Sequence, residues 1–254
     1  MYNSLIDINK ERKTMLANVE LRYKKEISGP ESDFINSFLS NYKQEYSDDK
    51  KTMTIFSEPF VGSGFPDLVM VRWDNEKPKK WNEERNNISN IDLKIIHHMM
   101  VNPGIYSIEN LKLQLGYSEK IISGSVQRMK DAGLIREDKK GLIRIGNKKE
   151  LFFIQSIIAI EAKMKNWKKA FIQAEANQWF SSESYVLLPD FIINEAIINH
   201  ANLSTAGLIS FGDDGIKILK KPEKRKMPVS FCSWIFNENI GRSLWGDGDN
   251  YGFI

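Results

Sequence analysis

Ser156-Ile157-Ile158-Ala159-Ile160-Glu161-Ala162-Lys163 is the stretch that decides how this chain is read. The run from Ile157 to Ile160 is short, apolar and mostly β-branched, which predicts a strand buried on both faces. A charged pair closes it. Strand side chains alternate between faces, so Glu161 and Lys163 point to one side and Ala162 to the other. A charged pair is unusual at the end of such a strand, because burying charge is costly unless it is paired or put to use.

Upstream, Gly64-Phe65-Pro66-Asp67-Leu68-Val69 leads into a second strand, expected over 65–73. Gly62-Ser63-Gly64 has the composition of a hairpin turn after a first strand over 52–61. If the strands at 65–73 and 156–164 lie side by side, Asp67, Glu161 and Lys163 converge. Two carboxylates and a backbone carbonyl suit a hard cation such as Mg²⁺. Such a cation activates water and neutralises charge developing on a phosphodiester. A lysine beside it can orient that water or hold a phosphate oxygen.

Working outward, the first 46 residues read as helical. Leu16, Val19 and Leu21 belong to a charge-rich segment, and Phe34, Ile35, Phe38, Leu39 and Tyr42 form a stripe on a helix over 31–46. Downstream, the pattern predicts a helix over 166–182, a strand over 185–188, a helix over 190–201 and a hairpin of 208–211 with 216–219. The polar stretch from Asp74 to Asn87, with Pro78, marks a candidate boundary. Residues 88–149 then read as a unit of their own. Ile91, Ile95, Ile96 and Met99 mark one helix. Leu111 and Leu115 mark a second, capped by Ser107. Ile121, Ile122, Val126 and Met129 mark a third, capped by Ser118. A hairpin of 134–136 with 142–145 follows. Three helices and a hairpin in this order resemble a winged helix-turn-helix domain.

Pro66-Asp67, Glu161-Ala162-Lys163 and the order of elements around them resemble the PD-(D/E)XK nuclease superfamily. Trp167, Ala170, Gln173-Ala174 and the run Tyr185 to Pro189 add to the likeness. The resemblance implies an α/β fold: a restriction-endonuclease-like mixed sheet flanked by helices, built from 1–87 and 150–254. The winged-helix domain at 88–149 would be inserted in it and accounts for the 94 positions between Asp67 and Glu161. It further implies Asp67, Glu161 and the Ala162 carbonyl as ligands of Mg²⁺ or Mn²⁺, and Lys163 as the catalytic lysine. Glu31 matches the extra acidic residue of the first helix, with Glu45 as the other option. Gln173 would approach the metal site or the substrate backbone.

The net charge is only +3, yet residues 88–149 carry +5 and the remainder −2. Basic charge concentrated on one unit is what a phosphate backbone attracts. Lys120, Arg128 and Lys130 on the third helix, and Arg136, Lys139, Lys140 and Arg144 on the hairpin, are the expected DNA contacts. Ser123 and Gln127 are placed to reach base edges. The reading is a metal-dependent DNA endonuclease that docks duplex through the winged helix, with RNA left open as substrate. The alternative is a DNA-binding regulator, or a subunit of a defence complex, whose nuclease-like core is inactive. A pure protein-interaction module is the third possibility.

Other chemistries are excluded by composition. The lone Cys232 rules out an internal disulfide and a Cys-rich zinc site, and favours a reducing, cytoplasmic setting. His97, His98 and His200 make no metal cluster, and Gly62-Ser63-Gly64 is no phosphate loop. No secretory signal and no membrane span are expected. The aromatic tail, 228–254, is expected to pack on the core or on a partner chain. Cutting both strands of a duplex commonly takes two active sites, which suggests a homodimer.

Overall fold

The computed structural model describes residues 5–7, 28–45, 52–74, 76 and 81–245. In chain order come β1 (Leu5–Asp7), α1 (Pro30–Glu45), β2 (Thr52–Ser57) and β3 (Leu68–Trp73). A 3-10 turn at Glu83–Asn87 leads to α2 (Asn90–Val101), α3 (Ile108–Leu115), α4 (Glu119–Asp131), β4 (Ile135–Glu137), β5 (Ile143–Ile145) and the short α5 (Lys148–Leu151). Then follow β6 (Ile154–Ala162), α6 (Trp167–Ala176), β7 (Glu183–Pro189), α7 (Glu195–Leu203), β8 (Gly207–Gly212), β9 (Gly215–Lys220) and α8 (Phe231–Trp245).

Seven strands form one mixed sheet in the order β1-β2-β3-β6-β7-β8-β9. β2, β3 and β6 pair antiparallel, β6, β7 and β8 parallel, and β9 returns antiparallel on β8. The chain is thus mixed α/β, with helices on both faces of the sheet. Phe38 and Leu39 of α1 pack on Leu68, Met70, Ile158 and Ile160. The opposite face carries α6 and α7, whose Phe171, Ala174 and Ile197 cover Val186 and Leu188. The central strands β3 and β6 are apolar toward both layers, which is why Ile157–Ile160 lack alternation.

The structure corrects several boundaries. Leu5–Asp7 is a strand rather than helix, because it pairs parallel with Met53–Ile55 and covers the outer edge of β2. Leu16, Val19 and Leu21 lie outside the described residues, as do Pro78 and the last residues of the tail, 246–254. The first strand stops at Ser57, and the second begins only at Leu68. Pro66, which has no N–H to give a ladder, sits in the connecting loop. The helix expected over 166–182 ends at Ala176 and passes into a 3-10 turn, Asn177–Trp179. The helix expected from 190 starts at Glu195, where Asn194 caps it.

Residues 88–149 form the three helices and the hairpin at the expected places. Ser107 and Ser118 cap α3 and α4, and Gly116 and Gly133 take left-handed φ of 70° after them. Ser89 adds a capping box with Asp92. This segment does not stand clear of the sheet. One apolar core runs from Val69, Val71 and Ile157 through Trp234 and Phe236 to Ile96, Leu111 and Ile122.

The joint is α8, made from the aromatic tail. Phe236 packs 4.8 Å from Phe56 and Trp234 5.2 Å from Phe152, ring centre to ring centre. Glu238 forms a buried ion pair with Arg85, and Arg242 donates to the carbonyls of Arg85 and Ile88. Gly241 lies against Trp81 so closely that a Cβ there would come within 1.9 Å of the ring.

Candidate active site

The register of β3 and β6 builds the site. Leu68 pairs with Ile160, so one step back Asp67 faces Glu161. The carboxylate of Asp67 is buried and its Oδ2 accepts the Ala162 backbone N–H at 2.8 Å. Lys163 comes just past the end of β6, and its own N–H is held by the Leu187 carbonyl. From there Nζ lies 3.4 Å from Asp67 Oδ2 and 3.3 Å from Glu31 Oε2, and it donates to the Ala162 carbonyl at 2.9 Å. Glu31, in the first turn of α1, reaches the ammonium from the helix that covers Leu68 and Ile160.

Glu161 is 2% exposed. Its Oε1 accepts from Asn177 Nδ2 at 2.7 Å, while Oε2 is buried with no hydrogen-bond partner among the described residues. Burial, reinforced by the neighbouring charge of Asp67, pushes this carboxyl up to about 8. Burial also raises Asp67, against the pull of Lys163 and the Ala162 N–H. For Lys163, burial works against the charge, but Asp67 and Glu31 outweigh it and hold the pKa above that of an ordinary lysine. Two crowded acids and one orphaned oxygen make an electrostatically unsatisfied centre, which added positive charge would relieve.

Among the described residues no three His, Cys, Asp or Glu side chains group into a cation cage. The donor set is instead Asp67, Glu161 and the Ala162 carbonyl, all oxygen. That suits Mg²⁺ or Mn²⁺, since Mg²⁺ typically binds through one or two carboxylates and keeps several waters. The orphaned Glu161 Oε2 fits such an occupant.

The other expected residues divide. Gln173 sits on α6 with its Oε1 buried and, among the described residues, without a hydrogen-bond partner and with no bond to the cluster. The side chain of Glu45 lies outside the described residues. On α4, Arg128 makes a two-pronged ion pair with the fully buried Asp92, at 2.9 and 2.8 Å. Lys130 pairs with Glu137, and Gln127 donates to Asp131. Ser123 is half-buried. Lys120, Arg136, Lys139, Lys140 and Arg144 are exposed. Cys232 is buried in α8, away from solvent.

Two features of the site lie outside the sequence expectations. Asn177 fixes Glu161, yet it stands in the 3-10 turn after α6, where no periodicity marks it. Lys165, Lys168 and Lys169 crowd the start of α6 directly after Lys163, and all three are exposed. Their clustering was visible as a charge run. Comparison with known proteins finds no match: no family model, no curated protein and no solved structure is significantly similar to this chain.

Proposed function

We propose that this chain is a Mg²⁺- or Mn²⁺-dependent DNA endonuclease with a restriction-endonuclease-like core and a winged-helix unit at 88–149 that docks duplex. The observation that carries it is the meeting of Asp67, Glu161 and Lys163 at the ends of two adjacent central strands, with Glu161 Oε2 left unpartnered. A cation held by Asp67, Glu161 and the Ala162 carbonyl would supply an activated water and offset phosphate charge. Lys163, kept charged by Asp67 and Glu31, holds a non-bridging phosphate oxygen and orients the scissile bond. Asn177 fixes the Glu161 rotamer. The Ala162 N–H fixes Asp67, so neither carboxylate needs to reorganise. Lys120, Arg136, Lys139, Lys140 and Arg144 are the exposed charges left to grip the backbone, since Arg128 and Lys130 are engaged within the fold.

Lys163→Ala tests the reading. Metal-dependent cleavage of plasmid DNA is expected to fall by at least about 100-fold, the scale of losing one stabilising donor, while duplex affinity in EDTA stays within error. Normal cleavage by this variant would remove Lys163 from the chemistry.

A further inference from the structure

The loop from Glu58 to Asp67 ends on a site residue and carries exposed aromatic surface. It is closed at its foot, where Glu58 N–H donates to the Asp67 carbonyl and Glu58 takes a left-handed φ of 50°. At its tip, Trp179 Nε1 donates to Ser63 Oγ at 2.9 Å. Phe65 packs 5.2 Å from Phe60, yet remains 38% exposed, and Trp179 is 43% exposed. Each stands two positions from a site residue: Phe65 from Asp67, and Trp179 from Asn177, which holds Glu161. Phe191 is exposed as well, but Phe65 and Trp179 differ from it in being joined, through Ser63, to one loop that ends on a site residue.

Charge close by in sequence narrows the occupant. Lys165, Lys168 and Lys169 follow Lys163 closely in sequence, all exposed and none in an ion pair among the described residues, and the Lys168 ammonium lies 5.4 Å from the centre of the Trp167 ring. Exposed lysines track a phosphate backbone, and flat aromatic faces accept bases only when those bases are unstacked, so together they describe a path for single-stranded nucleic acid. Paired bases in a duplex keep their faces to themselves.

We infer that Trp179 and Phe65 form a stacking platform for unpaired nucleotides, so that the preferred substrate is DNA with a single-stranded tail or flap beside the scissile bond. This rests on the reading of the neighbouring site as a phosphodiesterase. Lys165, Lys168 and Lys169 hold the backbone of the unpaired strand while its bases lie on the two rings.

The test compares a blunt duplex with the same duplex carrying an unpaired tail. Binding to the full chain is measured in EDTA by tryptophan quenching and by anisotropy, and cleavage is measured separately in Mg²⁺. Wild type is expected to bind the tailed DNA more tightly. Trp179→Ala should weaken tailed binding by about 5- to 150-fold, the range for losing one stacked base, and leave blunt binding unchanged. Trp179→Phe keeps a stacking face and should retain most of the preference. Ser63→Ala removes only the loop bond and should behave as wild type. Equal losses in Ser63→Ala and Trp179→Ala would show that the tryptophan merely braces the loop, and would overturn the inference. So would equal wild-type affinity for both DNAs, a result that needs no variant to fold. Metal-dependent cutting without tail preference removes this inference and leaves the nuclease standing; tail preference without cutting removes the nuclease, and with it the substrate assignment, and supports only the stacking platform.

Discussion

Glu161→Gln should make the metal-free protein more stable at alkaline pH. The folded carboxyl titrates near 8, against 4.5 for an unhindered glutamate, because burial and Asp67 disfavour its charge. A carboxyl raised in this way contributes stability that is fully present at low pH and is lost as pH climbs through the folded value. Between about 4.5 and 8 the folded state holds a proton that the unfolded chain has released. Wild-type stability therefore declines by up to about 1.4 kcal/mol per pH unit, and at most about 5 kcal/mol over the window, relative to the glutamine variant. Because Asp67 shares the site, the pair titrates as a unit and the decline is spread over a wider range. Glutamine still accepts from Asn177 and offers an N–H toward Asp67, so the variant should fold. The assay is urea unfolding of both proteins in EDTA at intervals from pH 5 to 9. The two curves should diverge steadily with rising pH. Adding Mg²⁺ at pH 8 should restore the wild type alone, through binding to the folded state. Parallel curves across the whole range would refute the claim that Glu161 is a crowded acid awaiting a cation.

Asp67→Asn should weaken Mn²⁺ binding by an order of magnitude or more, read by calorimetry; unchanged affinity would exclude Asp67 as a ligand. Replacing Lys139 and Lys140 together with alanine should flatten the dependence of log affinity on log salt by about 2, close to 0.9 for each lost phosphate contact. An unaltered slope would take the β4–β5 hairpin out of the DNA interface. Arg128→Ala should lower stability by roughly 2–3 kcal/mol, since it strands the fully buried Asp92. If thermal unfolding is unmoved and DNA affinity falls instead, Arg128 is a phosphate contact and its pairing with Asp92 is incidental.

The parts of the fold that sequence discloses are those where one local signal dominates. The doubly apolar run Ile157–Ile160 marks a central strand because both of its faces are covered. Ser107, Gly116, Ser118 and Gly133 bracket their helices because caps satisfy orphaned backbone groups within a few residues. Asp67 and Lys163 meet because β3 and β6 are neighbours in antiparallel register, a pairing that the residue types permit but do not specify. Three things were hidden. Leu5–Asp7 looks like part of a helical stretch, and only the open edge of β2 makes it a strand. The tail around Trp234 reads as aromatic and nothing more, since its role depends on the surfaces of α2 and β6 that it joins. Asn177 has no local signature at all; its importance exists only in its 2.7 Å bond to Glu161.

The central claim is that the crowded carboxylates at the ends of β3 and β6 form a metal-dependent phosphodiesterase centre. Its most direct test is cleavage of supercoiled plasmid and of linear and branched DNA by wild type and Glu161→Ala, each in Mg²⁺, in Mn²⁺ and in EDTA. Cutting by wild type with either metal, none in EDTA and none by the variant is the result this account predicts. Cutting that persists in EDTA or in Glu161→Ala would contradict it, as would the absence of cutting on every substrate by a wild-type protein that still binds DNA.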